Sequence, residues 1–255
     1  MRMTRFIPIA AALAAVLSPA AAQAQKEGKP TVAIMQFDNG AFGKDRLDYD
    51  GLSKGVPGIL VSDMQGNPNI RVIEREQVQK LVDEQNLVQN KHVDAATAIK
   101  VGKLLGAQHM IFGTFMLDTK KNFRVDAHAV NVETGEIEHV ETVTDKEDNI
   151  MVSISTLASK LNSGMKLPAP VRHTGDAAPA PSGAQQAGAP AQTSAAPAAA
   201  PAASQKMPMR VAVLYGKALD AKDKGDKSKA TELFSAVLKE FPSYEPASRE
   251  MKSIK

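Results

Sequence analysis

Apolar residues recur along this chain in three regimes, and each predicts a different kind of polymer. The densest runs from Ile70 to Phe115. Ile70 to Ile73 alternates around Arg71 as a short strand does, and Val78, Leu81 and Val82 then return at helical spacing, so one face of that helix is buried. A second helix opens at Asp94, whose short carboxylate suits an N-cap, carries Ala98, Val101, Leu104 and Leu105 inward, and stops at Gly106. Ala107 to Phe115 is rich in β-formers and broken only by Gly113, which predicts an interior strand covered on both faces.

The flanks extend this block. Thr31 to Phe37 predicts a first strand ending in an Asp38-Asn39-Gly40 turn, followed by a short helix through Val56, Ile59, Leu60 and Met64 with Pro57 in its first turn and Gly66 at its end. Phe123 to Val132 and Ile137 to Thr144 predict a hairpin around Glu133-Thr134-Gly135. A last helix, capped by Asp148 and closed by Gly164, presents Ile150, Ile154, Leu157 and Leu161 on one face. The order β, α, β, α, α, β, β, β, α predicts an α/β fold over residues 25–167: a mixed β-sheet flanked by helices, parallel at its centre and antiparallel toward the hairpin.

Residues 168–208 form the second regime, an Ala/Pro-rich linker without periodicity or large apolar side chains, which predicts disorder. The third is a small all-α hairpin over 209–255: Ala212, Tyr215, Ala218 and Leu219 share one helical face, Gly225-Asp226 turns the chain, and Ala230, Leu233, Phe234, Val237 and Leu238 share another. Pro246 to Lys255 could add a third helix. Tyr215, Gly216, Ala218, Gly225, Ala230, Phe234 and Pro242 fall as in a tetratricopeptide repeat, which the segment resembles. One such repeat lacks the neighbours against which these units bury their faces, so it should self-associate, dock on another protein or pack back on the first domain. Tyr215, Leu219, Phe234, Leu238 and Phe241 are the candidate interaction residues.

In the central block, VIEREQVQKLVDEQN followed by AIKVGKLLGAQHMIFGTF resembles the curli-secretion-channel (CsgG) family and its smaller periplasmic relatives. The similarity runs from about Thr31 to Leu161, including the Val132-Glu133-Thr134-Gly135-Glu136 turn. The family implies a periplasmic α/β domain that assembles with itself or with other envelope components at the outer membrane, with no catalytic residue. Channel-forming members build an outer-membrane barrel from a lipidated cysteine and two extra hairpins. This chain has no cysteine, and Arg124, Asp126, Glu136, Glu138 and Glu141 interrupt the long hairpin.

Composition adds place. Arg2 and Arg5 precede an apolar run from Phe6 to Leu17 and small residues around Ala22-Gln23-Ala24, the pattern of a cleaved signal peptide over residues 1–24. The run is too short for a spanning helix, which needs about 20 apolar residues. The absence of cysteine excludes disulfides, thiolate metal sites and a cysteine nucleophile. A formal charge of +3 implies no bulk attraction to nucleic acid.

Chemistry is sparse. Gly51-Leu52-Ser53-Lys54-Gly55 matches the G-x-S-x-G string of a nucleophile elbow, but a loop rather than a buried strand precedes it, so it reads as a helix entry with two small residues. Gly40 to Asp45 lacks the spacing of a phosphate loop. His128 and His139 lie on the two hairpin arms. They would share a face with Asp126 if the loop had two or four residues, and point to opposite faces with the three-residue loop that Glu-Thr-Gly favours. The second register also groups Ile137 and Val143 with Phe123 and Val125, and no metal or other cofactor is expected. Glu74-Arg75 reads as a structural ion pair at a helix entry.

Taken with what the CsgG resemblance implies, the expectation is a non-enzymatic periplasmic scaffold of envelope or curli-like secretion machinery, partnered by itself or by other envelope proteins and not by nucleic acid. An outer-membrane pore subunit and a serine hydrolase using Ser53 are the alternatives.

Overall fold

The computed structural model describes residues 28–41, 44–86, 92–168 and 206–254; the expected signal peptide and most of the expected linker lie outside these. The order of elements follows the pattern. Strand β1 (Thr31–Asn39) leads through a 3-10 turn to α1 (Leu52–Gln65), and β2 (Arg71–Val72) to α2 (Arg75–Glu84) and α3 (Ala95–Leu105). Then come β3 (His109–Leu117), β4 (Asn122–Asn131), β5 (Ile137–Lys146), α4 (Ile150–Gly164) and the C-terminal α5 (Met209–Asp223), α6 (Lys227–Glu240) and α7 (Glu245–Ile254).

The five strands form one sheet ordered β2-β1-β3-β4-β5, parallel between β2, β1 and β3 and antiparallel from β3 to β5. Helices α2 and α3 bury Val78, Val82, Ala98 and Val101 against Ala33, Met35, Met110 and Phe112 on one side. On the other side α1 and α4 cover Val32, Ile34, Ile111, Phe115, Phe123 and Val125. Strict alternation would send Phe37 to the wrong side, but an irregularity in register between Ile34 and Phe37 adds a residue and returns its ring to the side of Ile34.

Local signals account for the ends. Asp94 caps α3, its Oδ1 accepting from the Thr97 N–H at 2.7 Å, and Gly106 adopts the left-handed conformation at φ 66° that stops the helix. Gly135 turns the hairpin at φ 77°.

Four expectations need correction. Helix α1 is longer than expected: it starts at Leu52 behind Gly51 as its N-cap, so Leu52–Gly55 is helix rather than entry loop and Pro57 lies inside, past the first turn. Asp148 does not cap α4; it sits in a 3-10 turn over Glu147–Asn149 that runs straight into the helix. Gly164 is the last residue of α4 rather than its cap, and it lies against the His139 ring. The hairpin takes the three-residue register, pairing His128 with Val140 and Ala129 with His139, but an irregularity beyond Ala129 pairs Ile137 with Val130. That extra residue carries Ile137 off the face it was expected to share with Val125 and leaves it 52% exposed.

The C-terminal helices share the core of the sheet. Met207, inside the expected linker, is fully buried, and Val211, Ala212, Tyr215, Ala218, Leu219, Phe234 and Ala247 belong to the same apolar cluster as Val56, Ile59 and Ile154.

Candidate functional site

The seam between α1 and α5 is made of small residues. Gly51, Gly55 and Gly58 recur at i, i+4 and i+7, which places them on one side of α1. A Cβ at Gly51 would lie 2.4 Å from the Val213 carbonyl oxygen, and one at Gly55 2.7 Å from that of Ala212. From the other side, a Cβ at Gly216 would lie 1.7 Å from the Gly51 oxygen. Backbone meets backbone here, and larger side chains close over the gap: Tyr215 and Leu219 pack on Gly58. Tyr215 in turn stacks edge-on with Tyr244 at 5.1 Å and tilts against Phe234 at 6.0 Å.

A charged clamp lies along the same seam. Arg75 at the start of α2 donates from both terminal nitrogens to Asp223 near the end of α5, each at 2.8 Å. Lys54 of α1 bridges Asp223 at 2.7 Å and Asp220 at 3.0 Å. Lys222 bonds Glu76 and, at 2.5 Å, Glu250, while Arg249 donates to Ser62 at 3.0 Å. Burial works against charge on both partners of the central pair. It opposes Asp223's ionisation, yet Arg75 and Lys54 hold its pKa below the usual carboxylate value, and Asp223 likewise raises that of Arg75 against the same desolvation. Burial also pushes the Tyr215 phenol well above its ordinary value. The expected Glu74-Arg75 pair is thus corrected: Arg75 reaches across the chain to Asp223, and Glu74 accepts from Gln65 instead.

A polar cleft of about 770 Å³ opens between this seam and the ends of β1 and β3. Gln36, Asp38, Ser53, Lys54, His92 and Asp223 are among its lining. Asp38 Oδ2 lies 2.5 Å from His92 Nδ1 and accepts from the Val93 N–H at 3.2 Å. Burial raises the Asp38 pKa despite those bonds. Ser53 shares the cleft with this pair, but it sits in the first turn of α1 behind a 3-10 turn, not on the strand-to-helix corner of an elbow.

The two hairpin histidines point to opposite faces. His128 stacks on Phe112 at 5.4 Å, while His139 lies beneath α4 with Nε2 3.4 Å from Glu141 Oε2. The candidate interaction residues divide as well. Tyr215, Leu219 and Phe234 are buried inside the chain, and Leu238 and Phe241 are partly buried at its edge. Sequence reasoning missed the seam itself, although the i, i+4, i+7 spacing of glycines was its visible signal.

The sheet has an uncovered part. From Phe123 to Ala129 on β4 and from His139 to Asp145 on β5 the odd-numbered residues face α4, whereas Arg124, Asp126, Val140, Thr142 and Thr144 face the other side, where all but the half-buried Asp126 are exposed. Polar groups there satisfy one another: Arg124 donates to Asp126 at 2.8 Å, and Thr142 donates to the same carboxylate at 2.6 Å. Val140 is 51% exposed among them.

The architecture is a mixed α/β sheet domain with a helical unit clasped to its first helix. The model of the family described as curli production assembly/transport component CsgG matches residues 13–117, so this part of the chain is CsgG-like, as its motifs implied. The match takes in β1 to β3 and ends before the hairpin. Among solved structures, the LpoB C-terminal domain from Salmonella enterica is similar at 11% identity, covering 47% of this chain and 84% of that one with a TM-score of 0.34. Lipoprotein GNA1162 from Neisseria meningitidis is similar at 13%, covering 46% and 80% at 0.37. A PelC dodecamer from Paraburkholderia phytofirmans is similar at 11%, covering 54% and 89% at 0.34. No curated protein matches the chain. Among the described residues, no helix is long and apolar enough to cross a membrane.

Proposed function

We propose that this chain is a non-enzymatic scaffold of cell-envelope or curli-like secretion machinery, exported to the periplasm and held at the outer membrane through protein contacts. It binds copies of itself or other envelope proteins. The observation that carries the reading is the open half of the sheet: a surface on which Arg124, Asp126 and Thr142 already pair with one another and which exposes the apolar Val140 on its edge strand. Such a surface loses little hydrogen bonding when a partner covers it. The CsgG-family match supports the setting, since that family is described as an assembly and transport component.

The test is the mass of the full chain in solution by light scattering, with and without Val140→Arg. The wild type is expected to be oligomeric and the variant to fall toward monomer, because an unpaired charge placed in a covered interface is costly. A monomeric wild type, or an unchanged mass in the variant, removes the open face as the assembly surface.

The contrasting hydrolase reading rests on Ser53, Asp38 and His92 sharing one cleft. It is settled by incubating the protein with a fluorophosphonate probe. No labelling is expected, since no base hydrogen bond to Ser53 occurs among the described contacts, and labelling lost in Ser53→Ala would establish the enzyme instead.

A further inference from the structure

Strand β5 ends the sheet, and its outer edge is open. Its 10 residues pair with β4 alone, none of them is fully buried, and among the described residues no other strand lies beside them. One bond shows which groups are left over. The Glu147 N–H donates to the Lys121 carbonyl directly opposite, so the alternation of an antiparallel ladder makes Phe123 with Asp145, Val125 with Val143 and Ala127 with Glu141 the hydrogen-bonded pairs. Val140, Thr142 and Thr144 therefore aim their N–H and C=O groups away from β4.

Natural edges are blunted by proline, by bulges or by charges. This one is bare at its middle: its irregularity lies at its start, beside Ala129, and Val140 to Thr144 contains neither proline nor glycine. The one charge there, Glu141, turns toward α4 and accepts from Lys160 at 2.8 Å.

Charge selects the occupant. A second β5 laid antiparallel and centred on Thr142 sets Glu138 opposite Lys146, His139 opposite Asp145, Val140 opposite Thr144 and Glu141 opposite Val143. No like charges meet. Moving the centre by one residue opposes Glu141 to itself or to Asp145, and moving it by two opposes Glu141 to Glu147 or leaves Lys146 beyond the ladder. Within the chain Glu138 lies against His109 and Lys146 donates to Asn122, so the new pairs extend networks already formed.

We infer that two copies join antiparallel along β5, Thr142 opposite Thr142, into one continuous sheet. This rests on the self-assembly proposed above and specifies its contact. Val140, Thr142 and Thr144 exchange about six backbone hydrogen bonds across the joint. Its two-fold axis stands perpendicular to the sheet, so the open faces of both copies lie on the same side as a single wider surface.

The chain lacks cysteine, so introduced thiols report without background. Hydrogen-bonded partners on antiparallel strands have Cα atoms about 5.5 Å apart, a separation that a disulfide spans. Full-length Thr142→Cys, mildly oxidised, should run as a disulfide-linked dimer. Val140→Cys and Thr144→Cys should each stay unlinked alone, because each thiol lies about 13 Å along the strand from its own copy, and should link when the two variants are mixed. An oligomer by light scattering in which Thr142→Cys stays unlinked, or in which the three single variants link alike, overturns the edge joint and leaves self-assembly standing. A monomeric wild type with no link in Thr142→Cys overturns both.

Discussion

Gly216→Leu is expected to release the C-terminal helices from α1. In an isolated helix this substitution stabilises by up to about 1 kcal/mol, because glycine wastes backbone entropy there. Here the first carbon of the new side chain would lie 1.7 Å from the Gly51 carbonyl oxygen, and backbone cannot rotate away as a side chain can. The helices must separate or one must shift, at a cost of about 3 kcal/mol, the upper end for an overpacked site. Hydrogen exchange should then show residues 209–223 losing protection while β3 and β4 keep theirs. Protection retained along α5 would mean that the close approach of the two helices does not hold them together. Release would also uncover the side of α1 that includes Gly51, Gly55 and Gly58, so the variant should bind more of a hydrophobic dye than the wild type.

The second large effect belongs to the clamp. Asp223→Ala leaves Arg75, 8% exposed, and Lys54 facing each other without a carboxylate between them. Breaking a buried pair from one side costs about 3 to 5 kcal/mol, most of it the uncompensated charge that remains. The double change Arg75→Leu with Asp223→Leu should therefore cost less than Asp223→Ala alone, since it removes both charges and fills the space. Chemical denaturation of the three variants would measure this. A double variant as unstable as the single one would mean that specific hydrogen bonding, rather than stranded charge, dominates.

The same pair sets a dependence on pH. Although burial opposes its charge, Arg75 and Lys54 hold the folded-state pKa of Asp223 below the ordinary aspartate value, so its contribution is fully present above that value and is lost as pH falls below it through the folded pKa. Docking should thus be insensitive to pH near neutrality and weaken only in strong acid. Asp63 works in the opposite sense. Burial beneath α4 outweighs the Ser155 hydroxyl that donates to it at 2.6 Å and raises its pKa, so that group favours the fold more as pH falls toward its ordinary value.

Where patterns are local, the sequence carried the architecture. The caps at Asp94 and Gly106, the positive φ of Gly135 and the period of Val78, Leu81 and Val82 depend only on neighbours within a turn, so each could be read from a few residues. The three-residue hairpin loop was enough to separate His128 from His139. The exit of Ile137 from that pattern could not be seen, because one extra residue in a paired strand inverts every side chain beyond it.

The order of strands and helices and the presence of separate C-terminal helices were legible in the sequence through periodicity and turn chemistry, and the CsgG-like character of the stretch through β3 through the resemblance of its motifs. What covers the helical unit was decided only by the tertiary structure. The spacing of Gly51, Gly55 and Gly58 marks one side of α1 as small, but glycine has no side chain to say what lies against it, and that Gly216 of α5 does so is decided only when the two helices are brought together. Arg75 and Asp223 are likewise separated by 148 residues, and no local rule connects them. Their pairing follows from the seating of α5 on α1, which puts a guanidinium and a carboxylate together where water is scarce and neither can stay unpaired.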